Sequence, residues 1–377
     1  MTSAFRRSAG LPRGLEWQDK LSGLYLLPSG IVSGEQAAAA IISGNGWPIA
    51  DGQLAFTAGA VLLRDGAQTW LSMASYSELV DWANMEGEDV ARHMGQLVRR
   101  VGARRPAWAG LALDKPLVMG IVNTTPDSFS DGGVNLDPRV AMDHAFAMVE
   151  AGARIIDVGG ESTRPGAAPV PHEVELARVL PVIRALAEKG VVVSIDTRHA
   201  AVMGPAVEAG ARIINDVTAL EGDGALEVAA SSGAAICLMH MQGEPQTMQA
   251  DPSYVCAPLD IYDYLAGRIA VCEAAGIPRA KIATDPGIGF GKTMDHNAQL
   301  FAALALYHGL GCPILLGASR KSVIAKMSKG EGAGDRLPGT LAAHLSGLDA
   351  GAQIIRVHDV AETVQAVKVW QAIRAGG

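Results

Sequence analysis

The chain lacks the features that would mark it for an oxidising compartment, a membrane or a nucleic acid. Its four cysteines, Cys237, Cys256, Cys272 and Cys312, lie far apart in 377 residues. With no CxxC pair and no Cys/His cluster at zinc spacing, they read as reduced core residues. No apolar run reaches membrane-spanning length, and Arg6 and Arg7 are followed by SAGLPRGLEWQDK, which has no apolar signal core. No membrane association and a cytoplasmic location are therefore expected. Lys and Arg total 31 against 39 Asp and Glu, a net charge of -8 without a sizeable basic block. That excludes the electrostatic footprint of a nucleic-acid partner, so any phosphate chemistry must be local. A GxGxxG fingerprint after the first strand is missing as well, and so is any Ser/His/Asp or Cys/His device.

What is present is the composition of a globular α/β protein, 49% hydrophobic and 19% charged with 44 glycines. The length suits two domains, or one barrel with an extension. Residues 1–112 form the smaller unit, a mixed domain that holds five of the six tryptophans (Trp17, Trp47, Trp70, Trp82, Trp108). In it, short apolar runs alternate with Gly, Asn and Asp turns. Ser77 to Val101 has helical spacing, and Arg99, Arg100, Arg104 and Arg105 read as a solvated basic hinge before Pro106. No constellation in this region carries chemistry on its own.

From residue 113 to 377 the rhythm changes to apolar strands of four to six residues separated by Ala-rich helical stretches. Eight strands are expected, at 117–123, 154–159, 191–196, 212–216, 235–240, 281–285, 313–318 and 353–357. Three follow near-copies of one junction, EAGARIID at Glu150, EAGARIIND at Glu208 and DAGAQIIRV at Asp349. In each, the glycine suits a left-handed helix cap and the Ile-Ile pair opens a buried strand. Eight such units in about 260 residues is the arithmetic of a (β/α)8 barrel. An open doubly wound sheet is the alternative, and it would need fewer strands.

The stretch LVMGIVNTTPDSFSDGG, Leu117 to Gly133, is a strand that stops at Asn123 and hands over to a polar loop. Parallel α/β folds present reactive groups at such strand ends. The same reading at the other strands gives Asp157 with Glu161, Asp196, Asn215, His240, Asp285, the run Ser319, Arg320, Lys321, and Arg356 with His358. Ordinary packing would not end every strand in polar side chains on one face. Asp196, Asn215 and Asp285 suit a heterocycle edge rich in N–H donors, with Lys321 donating to a carbonyl or ring nitrogen. Arg164, Lys321, Arg356 and His358 are cations from three loops, suited to a phosphate or diphosphate. Asn123 and Asp127 are hard-oxygen groups able to help hold magnesium on it. The Gly-, Ser- and Pro-rich loops 124–133 and 159–170 could close over a substrate and exclude water, and in DPGIGFGK (Asp285 to Lys292) the glycines could let Phe290 approach a ligand.

In their order these motifs resemble those of the dihydropteroate synthase family: NTTPDSFSDGG from Asn123, GGESTRPGA from Gly159, SIDT from Ser194, INDV from Ile214, LMHMQGEPQTMQ from Leu238, DPGIGFGKT from Asp285, GASRKS from Gly317 and IIRVHDV from Ile354. The resemblance implies a (β/α)8 barrel that joins 6-hydroxymethyl-7,8-dihydropterin diphosphate to p-aminobenzoate with loss of pyrophosphate. It implies that Asp196, Asn215, Asp285 and Lys321 hold the pterin ring, flanked by Met239, Phe290 and Arg356. Asn123 would ligate Mg2+ with the diphosphate, Arg164, Arg356 and His358 would bind the departing phosphates, and Thr163, Pro165, Phe290 and Ser319 would line the p-aminobenzoate site. Asp196, Lys321 and Arg164 would carry catalysis. A homodimer through outer barrel helices is implied too, whereas the 1–112 extension is not part of the family pattern. A pterin-binding methyltransferase would share the Asp/Asn pocket but should lack Arg164 and TPDSFSDGG. A non-catalytic pterin binder predicts an eroded diphosphate site, and Asn123, Arg164 and His358 all stand.

Overall fold

The short apolar runs of the first hundred residues pair into a sheet. The computed structural model describes residues 5–50, 52–124, 138–162 and 169–375. In the N-terminal unit the strands are β1 (Arg6–Arg7), β2 (Leu24–Ser33), β3 (Trp47–Ile49), β4 (Leu54–Asp65) and β5 (Gln68–Ser75), ordered β1-β5-β4-β2 with β3 also on β4. All pairs but β1 with β5 are antiparallel. Helix α1 (Gly34–Ile42) follows β2, and α2 (Tyr76–Met85) and α3 (Glu88–Gly102) follow β5. The helical spacing over Ser77 to Val101 is thus two helices. Gly87, at φ 111°, takes a conformation that other residues rarely adopt and breaks the run, while Ser75 starts α2 with a capping box to Glu78.

Alternation along β2 and β4 gives the sheet two buried faces. Leu24, Leu26, Val61 and Leu63 pack with Leu79, Trp82, Val90 and Leu97 of α2 and α3. Tyr25, Leu27, Ala60 and Leu62 point the other way and join the core of the second unit.

That second unit is the barrel. Its strand and helix pairs are β6 (Leu117–Asn123) and α4 (Pro138–Glu150), β7 (Ile155–Gly159) and α5 (His172–Glu188), β8 (Val192–Asp196) and α6 (Ala200–Glu208), β9 (Ile213–Asp216) and α7 (Ala225–Ser232). There follow β10 (Ala235–Met239) and α8 (Ala257–Ala274), β11 (Ile282–Asp285) and α9 (Met294–Ala302), β12 (Leu315–Leu316) with α10 (Ser322–Met327) and α11 (Leu337–Asp349), and β13 (Ile354–Val357) with α12 (Val360–Ala375). All eight strands are parallel, in the order β11-β10-β9-β8-β7-β6-β13-β12. A bridge between Thr284 and Ile314, with Thr284 N donating to Pro313 O at 2.9 Å, joins the two ends of the sheet. An open doubly wound sheet has no such closure. The three Ala-Gly-Ala junctions behave as their sequence suggests, with Gly152, Gly210 and Gly351 at φ 110°, 113° and 88°.

The barrel floor is apolar. Leu117, Met119, Ile155, Val192, Ile213, Ala235, Cys237, Ala283, Leu315 and Ile354 fill the interior, and Trp108 closes the bottom, fully buried with its indole donating to Lys281 O at 3.0 Å. All four cysteines are free and buried. Among the described residues no helix is long and apolar enough to cross a membrane.

The N-terminal sheet is fastened to the barrel wall by charge as well as by packing. Arg64 donates to Asp260 at 2.8 Å and lies 3.3 Å from Asp263, both on α8, and the Tyr25 ring meets Tyr262 edge-on at 5.5 Å. Arg105, read from sequence as solvated, is only 4% exposed. Its guanidinium donates to the carbonyls of Arg100 and Ala103, at the end of α3, and to His308 O at 3.2 Å. Orphan carbonyls at a helix end need donors, and here a side chain of the linker supplies them.

Candidate active site

The barrel interior changes character at its upper end because five of its strands continue, two residues on, from an apolar to a polar inward position. Ile155 is followed by Asp157, Val192 and Ser194 by Asp196, Ile213 by Asn215, Ala283 by Asp285, and Ile354 by Arg356. Asp157, Asn215 and Asp285 are buried, and Asp196 and Arg356 are partly so. Met239 shares this parity on β10 and is buried.

Arg356 organises the ring. Its Nε donates to Asp157 Oδ2 and its Nη2 to Asp196 Oδ2, each at 2.5 Å, while Asn215 Nδ2 donates to the same Asp157 oxygen at 3.1 Å. Burial acts to lower the Arg356 pKa, yet the two carboxylates hold it above its ordinary value. Burial lifts Asp196 to about 7 against the pull of Arg356, with Asp157, Glu175 and Asp216 adding to the rise. Asp285 is also raised by burial, opposed by Lys321 and by the N–H of Gly287, which donates to it at 2.7 Å. Lys321 is pushed down to about 8 by burial, with Asp285 opposing. Its ammonium donates to Ile288 O at 2.6 Å and sits 4.4 Å from the Phe290 ring centroid. A Cβ placed on Gly159 would lie 3.5 Å from Asn123 Oδ1 and 3.7 Å from Asp196 Oδ2, so these two strand ends face one another across β7.

Ser319 Oγ lies 3.0 Å from His358 Nδ1 and accepts from His358 N at 3.1 Å. Between Ser319 and Lys321, Arg320 takes φ 55°, a strained left-handed conformation. Its own side chain leaves the mouth and pairs with Asp359. His240 is likewise not a mouth residue: it follows Met239 on the outward parity, 6% exposed, with its ring nitrogen 3.0 Å from Lys292. Burial, and then Lys292, push it down to about 2, so it is neutral. Glu161 turns aside to His199 and Arg198, and despite burial His199, the N–H of Val170 and Arg198 together hold it at about 2. Asp127, Thr163, Arg164 and Pro165, with most of both polar loops, lie outside the described residues.

The structure therefore brings together Asn123, Asp196, Asn215, Asp285, Lys321 and Arg356, with Phe290, Ser319 and His358 on adjoining loops. Sequence reading named Asp157 only as a strand end, whereas it is the shared acceptor for Arg356 and Asn215. Its inward parity with Ile155 was the available signal.

A closed barrel with carboxylates, an amide and cations converging on its mouth defines an enzyme that takes a small, nitrogen-rich, anionic substrate. The family model described as pterin binding enzyme matches residues 119–358. The dihydropteroate synthase of Escherichia coli strain K12 is 50% identical over 263 residues, 70% of this chain and 93% of the relative. The chain belongs to the dihydropteroate synthase family of pterin-binding enzymes. Among solved structures, the Yersinia pestis synthase with a sulfonamide drug complex superposes with a TM-score of 0.68 at 48% identity, over 70% of this chain and 96% of that one. The Xanthomonas albilineans synthase in complex with 7,8-dihydropteroate gives 0.65 at 44%, over 70% and 96%.

Proposed function

We infer that this chain catalyses the condensation of 6-hydroxymethyl-7,8-dihydropterin diphosphate with p-aminobenzoate to 7,8-dihydropteroate and pyrophosphate. The observation that carries the reading is the ring around Arg356, set at the mouth of a barrel that is half identical to the Escherichia coli synthase over 93% of its length.

Asp196, Asn215, Asp285 and Lys321 hold the pterin ring, with Met239, Phe290 and Arg356 against it. In the reaction the methylene C–O bond breaks with its electron pair passing to the pyrophosphate, the arylamine lone pair forms the C–N bond, and the amine then loses a proton. Positive charge developing on the methylene and ring is stabilised by Asp196, whose distance to Arg356 fixes it in place. The arylamine is already a nucleophile and needs aim and desolvation more than a base. Thr163, Pro165, Phe290 and Ser319 supply its site, and Arg164, Arg356 and His358 take the leaving phosphates.

Asn123 suits magnesium: it offers one hard oxygen, and no cluster of three or more His, Cys, Asp or Glu able to hold a metal stands among the described residues. Such an ion would take its other ligands from diphosphate and water and would neutralise leaving-group charge. A cytoplasmic enzyme working as a homodimer completes the reading. The test is pyrophosphate release by the full chain with magnesium and both substrates. Release that depends on p-aminobenzoate supports it, and none, with pterin binding intact, sinks it.

A further inference from the structure

Loop carbonyls at a protein surface ordinarily bond to water. In the loop after β11, four successive ones are each taken by a side chain. Lys321 Nζ donates to Ile288 O at 2.6 Å, Gln249 Nε2 to Gly289 O at 2.6 Å, Lys292 Nζ to Phe290 O at 2.7 Å, and the Tyr254 hydroxyl to Gly291 O at 2.7 Å. On the donor side, Gly289 N gives its hydrogen to Asn297 Oδ1 at 2.7 Å. The loop is thus held residue by residue on either side of Phe290.

Lys292 is the buried member of this set, 2% exposed. Besides Phe290 O it reaches His240 O at 3.2 Å and His240 Nδ1 at 3.0 Å. Burial pushes the Lys292 pKa well below its ordinary value, and the three acceptors oppose this by matching the hydrogens of an ammonium when the neutral His240 carries its own hydrogen on Nε2. The link joins the Phe290 loop to the end of β10. Close approach of the two segments is built into the sequence: a Cβ on Gly287 would fall 1.9 Å from His240 O, and one on Gly291 2.5 Å from Gln242 O. A lysine placed only as core filler would not need a carbonyl partner on each of two loops.

We propose that Lys292 is a positioning residue for Phe290: by fixing the backbone that carries this ring, it sets the affinity for p-aminobenzoate while touching no substrate. This rests on the activity inferred above and on Phe290 lining the p-aminobenzoate site. Phe290 also lies against the pterin ring, but the polar edge of that ring is gripped by Asp196, Asn215, Asp285 and Lys321, none of which bonds to Lys292, and Asp285 is held by Gly287 N, so the pterin keeps most of its contacts when Phe290 shifts. Loss of Lys292 therefore acts on one substrate more than on the other.

The experiment is steady-state kinetics of full-length Lys292→Met beside the wild-type chain, varying each substrate in turn. The expected result is a KM for p-aminobenzoate raised about tenfold with the KM for the pterin diphosphate within about twofold of wild type, because small misplacement of an aiming group costs one to two powers of ten. Equal rises in both KM values, or no rise in either, overturn the proposal. Should Lys292→Met fail to fold, Gln249→Ala decides. Gln249 is exposed and holds the neighbouring carbonyl, so a smaller rise confined to p-aminobenzoate supports the proposal and an unmoved KM overturns it. Absence of turnover by the wild-type chain overturns the activity, and this role with it. Wild-type turnover with unmoved variants overturns only the role of Lys292.

Discussion

The hydroxyl of Tyr25 lies 2.9 Å from both carboxylate oxygens of Asp263, a residue 238 positions further along the chain. Burial, and then Asp263, raise the Tyr25 phenol well above its ordinary pKa, so it is a donor at any working pH. Tyr25→Phe removes that donor and should cost about 1 kcal/mol, read as a fall in Tm, with turnover retained. Truncation to 113–377 goes further. It strips the sheet from Tyr262 and Leu310 and removes the Arg64 and Arg105 contacts, so the truncated barrel should melt well below the full chain or aggregate. A truncation that melts with the full chain would show the extension to be only an appendage.

Asp157 serves two donors with one oxygen. Asp157→Asn keeps one oxygen for Arg356 and Asn215 but removes the negative charge that pairs with the guanidinium, so the bond that holds Arg356 loses its ionic partner. The KM for the pterin diphosphate should rise at least tenfold, in line with the loss of a charge-assisted bond of about 1.5–3 kcal/mol. Steady-state kinetics at fixed p-aminobenzoate will show it.

The pH profile should be a bell. Asp196, raised by burial to about 7, stabilises positive charge only as a carboxylate, so activity rises as pH climbs through that value. Lys321, lowered by burial to about 8, donates as an ammonium, so activity falls as pH climbs past it. The kcat/KM maximum for the pterin substrate then lies between the two, and Asp196→Asn should abolish the acidic limb along with most of the rate. A flat profile from pH 6 to about 9 would contradict both assignments.

Glu175 is fully buried on α5, and among the described residues neither of its oxygens makes a hydrogen bond of good geometry. Burial raises its carboxyl above the ordinary value, opposed first by the Thr197 hydroxyl and then by His199. An acid whose pKa is higher folded than unfolded contributes stability below the unfolded value, and that contribution is lost as pH rises through the folded one. Glu175→Gln should therefore be more stable than wild type at pH 8, by about 1 kcal/mol, with the difference shrinking toward pH 4. Melting curves at the two pH values test the sign.

The barrel was legible because its evidence is periodic and repeated. Three glycine junctions and eight apolar runs each report the same unit, and the strand ends fall within a residue or two of their expected places. The mouth was legible where a polar residue follows an apolar strand, as at Asp196, Asn215, Asp285 and Arg356. It failed at His240 and Arg320, since parity at a strand end and a left-handed turn depend on one residue of register, which sequence alone does not resolve. The linker arginines mislead in another way. Charge implies solvent, and Arg105 instead finds three carbonyls, a pairing made only when α3 and the barrel meet.

The two-faced sheet also governs how the chain can be made. Ribosomal synthesis completes β2 and β4 long before α8 exists, and the strand carrying Tyr25 waits for a partner 238 residues away. At about 5–20 residues per second that is a delay of roughly 10–50 s during which one apolar face has nothing to cover it. An added domain that welds itself to a distant helix lends the finished enzyme a braced wall, and it leaves the nascent chain with an apolar sheet face that stays open until that helix is made.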